Sequence, residues 1–103
     1  RRMMQQVPTG DVVVRNPTHV AVALRYDAQK DSAPVVVAKG LDLVARRIVA
    51  IAEQNGIPMK EDKPLARALY AAVEIGMEIP PEFYTPLAEI MAWVYRQKKE
   101  RKR

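Results

Sequence analysis

The chain has 103 residues, one domain's length, and its 49% apolar and 28% charged content is that of a globular protein. It has no cysteine and a single histidine, His19, which excludes disulfide frameworks, thiol chemistry and metal sites built from Cys or paired His. The formal charge of +5 sits at one end: Arg96, Lys98, Lys99, Arg101, Lys102 and Arg103 against Glu100 account for all of it, leaving 11 basic and 11 acidic residues in 1–95. Residues 1–10 are polar, end in Val7-Pro8-Thr9-Gly10 and read as an entry segment without periodicity. Asp11–Arg15 is a β-branched run and the first strand, and Val20–Tyr26 is the second. A polar loop follows, and Pro34–Ala38 is the third strand, with proline at its first position where no ladder donor is lost.

Strands without polar alternation require cover on both faces, and helices supply it. Leu41, Val44, Ile48 and Ile51 have helical spacing, closed by Asn55-Gly56. Ile57–Lys60 reads as a short edge strand, because Pro58 bars it from the sheet interior. Pro64 opens a helix with Leu65, Leu69, Ala72 and Val73 on one face, ending at Gly76. A last helix after Pro80-Pro81 carries Leu87, Ile90 or Met91, and Val94, and runs into the basic tail. The fold class is α/β: one small domain with a mixed sheet of about four strands covered by about four helices. No apolar run approaches the roughly 18–20 residues of a membrane span. Arg1-Arg2-Met3-Met4 lacks a signal peptide's apolar run, and the start reads as a cut within something larger.

Most catalytic templates fail. The four glycines are isolated, so no phosphate-cradling loop exists, and no pair of carboxylates is spaced for acid/base work. Ser32, the only serine, reads as a loop residue. What remains is Asn16-Pro17-Thr18-His19 between two apolar strands. Asn-Pro is an ordinary turn former, and one reading stops there. The other is chemical. Pro17 has no N–H, so the usual attack of the following backbone nitrogen on the Asn side chain cannot occur. The remaining intramolecular route sends the Asn16 side-chain nitrogen to its own carbonyl carbon. A succinimide forms, the Pro17 nitrogen leaves, and the backbone is cut at Asn16–Pro17. A tight turn can weaken the resonance of that tertiary amide by twisting it. His19 is the nearby side chain suited to moving protons, and Thr18 could pin the turn or donate to the oxyanion.

Gly10-Asp11-Val12-Val13-Val14-Arg15-Asn16-Pro17-Thr18-His19-Val20-Ala21-Val22-Ala23-Leu24 resembles the autocleavage region of the FlhB/YscU family of type III secretion export proteins. Pro34–Gly40 resembles the family's third strand and following turn, Lys63–Tyr70 the start of its next long helix, and Gly76–Tyr84 the entry to its last helix. The flagellar branch fits best, with the virulence injectisome branch as the alternative. The resemblance implies an autocleavage loop between the first two strands and site residues Asn16, Pro17, Thr18 and His19, with no cofactor and no metal. It implies residues 1–10 as a linker from a missing membrane part, 11–95 as an autocleaving export-switch domain, and 96–103 as a basic tail. The domain would lie on the cytoplasmic side of a bacterial inner membrane and help switch export from rod and hook to filament proteins. The implied partners are its own fragment 1–16 held non-covalently, other export-gate components, exported subunits and the hook or needle length-control protein. Against these stand three rivals: a nucleic-acid-binding module suggested by the basic tail, a membrane-surface contact through the basic ends, and an inert interaction domain. Nucleic acid is disfavoured because the domain proper is neutral and Tyr70, Trp93 and Tyr95 lie in helical patterns. The tail itself reads as a solvated, frayed helix end.

Overall fold

A computed structural model describes residues 2–101. A short helix α1 (Arg2–Gln6) and a 3-10 turn (Val7–Thr9) precede strands β1 (Val12–Asn16), β2 (Val20–Arg25) and β3 (Val35–Leu41). Helix α2 (Asp42–Gln54), strand β4 (Met59–Glu61), helix α3 (Lys63–Ala72), a 3-10 turn (Pro81–Phe83) and helix α4 (Tyr84–Arg101) complete the chain. The four strands form one mixed sheet in the order β3-β2-β1-β4. β1 and β3 flank β2 antiparallel, and β4 joins the free edge of β1 in parallel. The expected α/β domain is the one observed, with four strands and four α-helices among the described residues.

The sheet is buried on both faces, as its unbroken apolar strands require. Val12 and Val14 of β1 point with Val22 and Leu24 of β2 into a core shared with Leu65 and Leu69 of α3 and Leu87 and Val94 of α4. Val13, Ala21, Ala23, Val37 and Ala38 face the opposite core, completed by Ala45, Ile48 and Ala52 of α2. Each of Val12, Val13 and Val14 is fully buried, a burial of about 1.5–3 kcal/mol per side chain.

Three expectations need correction. Helix α2 does not bury the stripe Leu41, Val44, Ile48 and Ile51: Leu41 and Val44 are exposed, and the buried positions are Ala45, Ile48 and Ala52. The small side chains Ala45 and Ala52 share this core with Ala21, Ala23 and Ala38 of the sheet. Gly40 shows how tight the entry to α2 is, since a Cβ there would stand 2.1 Å from Val44 Cγ1. In α3, Ala66 takes the buried place expected of Ala72, and the helix stops at Ala72 rather than Gly76. From Val73 the chain is drawn to the edge of β3, where the Gly76 N–H donates to Val36 O at 2.7 Å and the Val36 N–H donates to Met77 O at 3.0 Å. Gly76 adopts φ +89°, a left-handed conformation that glycine takes without strain.

The entry segment is ordered as well. Val7 is fully buried in the α2-side core, Met3 and Met4 pack against it, and the Lys39 N–H points at Met3 Sδ at 3.4 Å. At the other end α4 stays helical through Arg101. Rather than fraying into solvent, it brings Lys98 Nζ to 3.5 Å from Asp11 Oδ1, and Arg101 Nη1 donates to Gly56 O at 3.1 Å. Arg1, Lys102 and Arg103, the outermost residues of the two basic ends, lie outside the described residues.

Candidate functional site

β1 and β2 form a hairpin whose register ends at the pair Asn16–Val20, leaving Pro17, Thr18 and His19 to make the turn. Apolar pairs fix that register from Val12–Leu24 onward, because a one-residue slip would turn every valine to the wrong face. The motif is therefore delivered to one place by the strands. Its four residues differ in environment: Asn16 is only 4% exposed, Pro17 is half-buried, and Thr18 and His19 are exposed.

The Asn16 carbonyl oxygen, on the carbon of the Asn16–Pro17 bond, accepts the main-chain N–H of His19 at 2.9 Å. This is a donor aimed at the oxygen on which charge would collect if that carbon were attacked. The sequence reading considered the Thr18 hydroxyl for this role; the group in place is the backbone of the next residue, which no side-chain motif encodes.

Two residues that the sequence reading did not assign to the site converge on it. The Asn16 carboxamide lies against the guanidinium of Arg67, with one of its two terminal atoms 3.2 Å from both Nε and Nη2. A guanidinium offers only donors, so the carboxamide must present its oxygen there and turn Nδ2 the other way. Arg67 arrives because β4 runs beside β1 and α3 begins at the same end. The Asp62 N–H donates to Arg15 O at 3.0 Å, and Asp62 Oδ1 accepts the Leu65 N–H at 3.1 Å as the cap of α3. Arg67 is then one turn inside the helix, level with the residue after Arg15.

From the other side, the Asp42 N–H donates to His19 O at 3.0 Å, and Asp42 Oδ1 stands 3.4 Å from His19 Nδ1. Asp42 does this at φ +47°, in the left-handed region that Asp visits more readily than most residues. Both side chains face water, so their attraction is weak and serves orientation more than stability. A hollow of about 140 Å³ opens beside the turn, lined by Pro17, Thr18, Val20, Arg46, Val49 and Glu53 among others. A larger, mainly apolar hollow of about 360 Å³ lies elsewhere, between Ala33, Pro34, Leu87, Met91 and Tyr95, and includes none of the four turn residues. Among the described residues no group of three His, Cys, Asp or Glu side chains is arranged to hold a metal ion. No described helix is long and apolar enough to cross a membrane.

Known proteins are similar to this chain in sequence and in fold. The model of the FlhB HrpN YscU SpaS family matches residues 1–94. The flagellar biosynthetic protein FlhB of Escherichia coli is 55% identical over 101 residues, which is 98% of this chain and 26% of that protein. FlhB of Bacillus subtilis is 53% identical over 100 residues, 97% of this chain and 28% of that protein. The chain thus spans about a quarter of the length of these relatives. The crystal structure of the cytoplasmic domain of FlhB from Shewanella putrefaciens superposes with a TM-score of 0.94 at 40% identity, covering 99% of this chain and 78% of that one. A mutated EscU C-terminal domain superposes with a TM-score of 0.86 at 34% identity, covering 89% of this chain and 92% of that one. The chain belongs to the FlhB HrpN YscU SpaS family.

Proposed function

We propose that this domain cuts its own backbone between Asn16 and Pro17 and acts as a substrate-specificity switch in bacterial flagellar type III protein export. The observation that carries the reading is the Asn16 carbonyl oxygen held by the His19 N–H at 2.9 Å while the Asn16 carboxamide is enclosed beside it. In the reaction the Asn16 Nδ2–C bond forms and the C–N bond to Pro17 breaks. One Nδ2 proton is passed, through His19 or a water it orients, to the departing Pro17 nitrogen. Water then opens the terminal succinimide. Enclosure of nucleophile and electrophile in one residue makes the step unimolecular, and the fold contributes orientation rather than a strong base.

The flagellar branch is favoured by the 53–55% sequence identity to two FlhB proteins and, among superposed structures, by 40% identity to the FlhB domain against 34% to the EscU domain. Residues 1–10 would lead in from a membrane part on its cytoplasmic side, and 11–95 would form the switch. Fragment 1–16 would stay bound after the cut: β1 is an interior strand paired on both sides, and Val7 anchors the segment before it. Cleavage replaces a closed turn by two charged termini and frees Thr18 and His19 to move. Export-gate components, exported subunits and the length-control protein would read that change. The test is secretion by cells whose family protein carries this domain. With the native domain, filament-type subunits appear outside the cell after hook completion; with Asn16→Ala they do not. Equal secretion of filament-type subunits by both would overturn the switch.

A further inference from the structure

We propose that Arg67 is a catalytic residue of this cleavage, acting on the attacking carboxamide rather than on the bond that breaks; the proposal rests on the self-cleavage reading above. A carboxamide nitrogen is a poor nucleophile because its lone pair is shared with the C=O. It becomes competent as it gives up a proton, and the electron pair left behind is then shared with Oδ1. The negative charge of the activated nucleophile collects on the one atom that Arg67 grips, 3.2 Å from Nε and 3.2 Å from Nη2. A fixed cation with two parallel donors stabilises that form more than the neutral amide, which is the condition for lowering a barrier.

The grip also selects the reacting atom. With Oδ1 turned to the guanidinium, Nδ2 stands on the opposite side of Cγ, where it faces hydrogen-bond acceptors rather than donors. The proton leaves Nδ2, the Nδ2–C bond forms, and the charge passes from Oδ1 to the Asn16 carbonyl oxygen. There the His19 N–H receives it. When the C–N bond breaks, the Pro17 nitrogen takes up one proton, so charge and atoms balance. Arg67 and the His19 backbone thus hold the negative charge at successive positions along one path. Asn16 is 4% exposed, so water has little access to take over the first of these roles. Arg67 itself lies on the exposed side of α3, which moderates the expected effect.

The experiment follows the rate of appearance of the 17–103 fragment by denaturing mass spectrometry for the native chain, Arg67→Gln, Arg67→Lys and Arg67→Ala. Glutamine keeps a neutral donor, and lysine keeps the charge without the fork. Expected rates are about 20-fold below native for Arg67→Gln and within about fivefold of native for Arg67→Lys. Millimolar methylguanidinium should accelerate Arg67→Ala, while urea at the same concentration should not. The same substitutions placed on Asn16→Ala, which has no nucleophile, report folding through their unfolding midpoints, expected within a few degrees of that parent. A native chain that stays uncut removes the cleavage reading itself. A native chain that cuts, with folded Arg67→Gln cutting within about twofold of it, overturns the role of Arg67 and leaves cleavage standing. Equal slowing in folded Gln and Lys variants, or no response to methylguanidinium, also overturns the role of charge.

Discussion

Two connections join antiparallel neighbours in this sheet, and they are held in opposite ways. The loop from β2 to β3 is tied mainly by residues of its own. Asp27 O accepts the N–H groups of Lys30 at 2.9 Å and Asp31 at 2.8 Å, Asp27 Oδ1 accepts the Gln29 N–H at 3.0 Å, and Arg25 lies 3.5 Å from Asp31. The turn from β1 to β2 closes on a single internal bond, and its Asn16 and His19 are met from outside. Arg67 on α3 faces Asn16, and Asp42 at the start of α2 faces His19 from 23 residues away. The ends of the β2–β3 loop are also fastened to the fold, with the Tyr26 N–H donating to Asp11 Oδ2 at 2.7 Å and the Ser32 N–H to Glu78 Oε2 at 3.0 Å, but its tip is closed by its own groups. A turn clamped between two helices keeps one amide enclosed and oriented, at the expense of depending on both.

That contrast gives a graded set of expectations. The largest effect is at the nucleophile: Asn16→Ala should abolish cleavage, while Asp27→Ala in the other loop should leave the rate unchanged and cost about 1–2 kcal/mol of stability, read by denaturant unfolding. His19→Ala should slow cleavage by about 10²-fold without stopping it, because the imidazole assists proton movement while the backbone donor to the Asn16 oxygen remains. Gly40→Ala should lower stability by about 1–3 kcal/mol by driving its Cβ into Val44, and should also slow cleavage by loosening α2, and with it Asp42, from the turn. The smallest effect is at Asp42→Gly, which removes the carboxylate beside His19 but accepts φ +47° without strain. Cleavage should slow about threefold there, with stability changed by less than about 0.5 kcal/mol. If Asp27→Ala slowed cleavage as much as His19→Ala does, the contrast between the two loops would fail.

The strands were readable because Val12–Val14, Val20–Leu24 and Val35–Ala38 leave no face for water, and the β-β-β-α-β-α-α order that follows α1 came from punctuation by Gly and Pro, while α1 itself, in the entry segment, carried no such signal. Face assignment in α2 was not readable from hydrophobicity: two of the three side chains that pack, Ala45 and Ala52, are small, and larger apolar residues such as Leu43, 75% exposed, point outward. Val7 was hidden within a polar segment too short to show a period. At the site, Asn16, Pro17, Thr18 and His19 stand together in sequence and stay together in the fold. Arg67 and Asp42 carried no signal, since the first depends on β4 pairing with β1 and the second on the junction of β3 with α2. The His19 N–H is beyond any residue pattern, because every residue except proline has one.

The account turns on whether the backbone parts at one bond. Purified chain held at neutral pH and denatured before mass measurement should give two pieces, residues 1–16 and a partner beginning at Pro17, while the same sample measured under native conditions gives one species of their combined mass. A single intact chain of 103 residues after prolonged incubation, indistinguishable from Asn16→Ala, would contradict it.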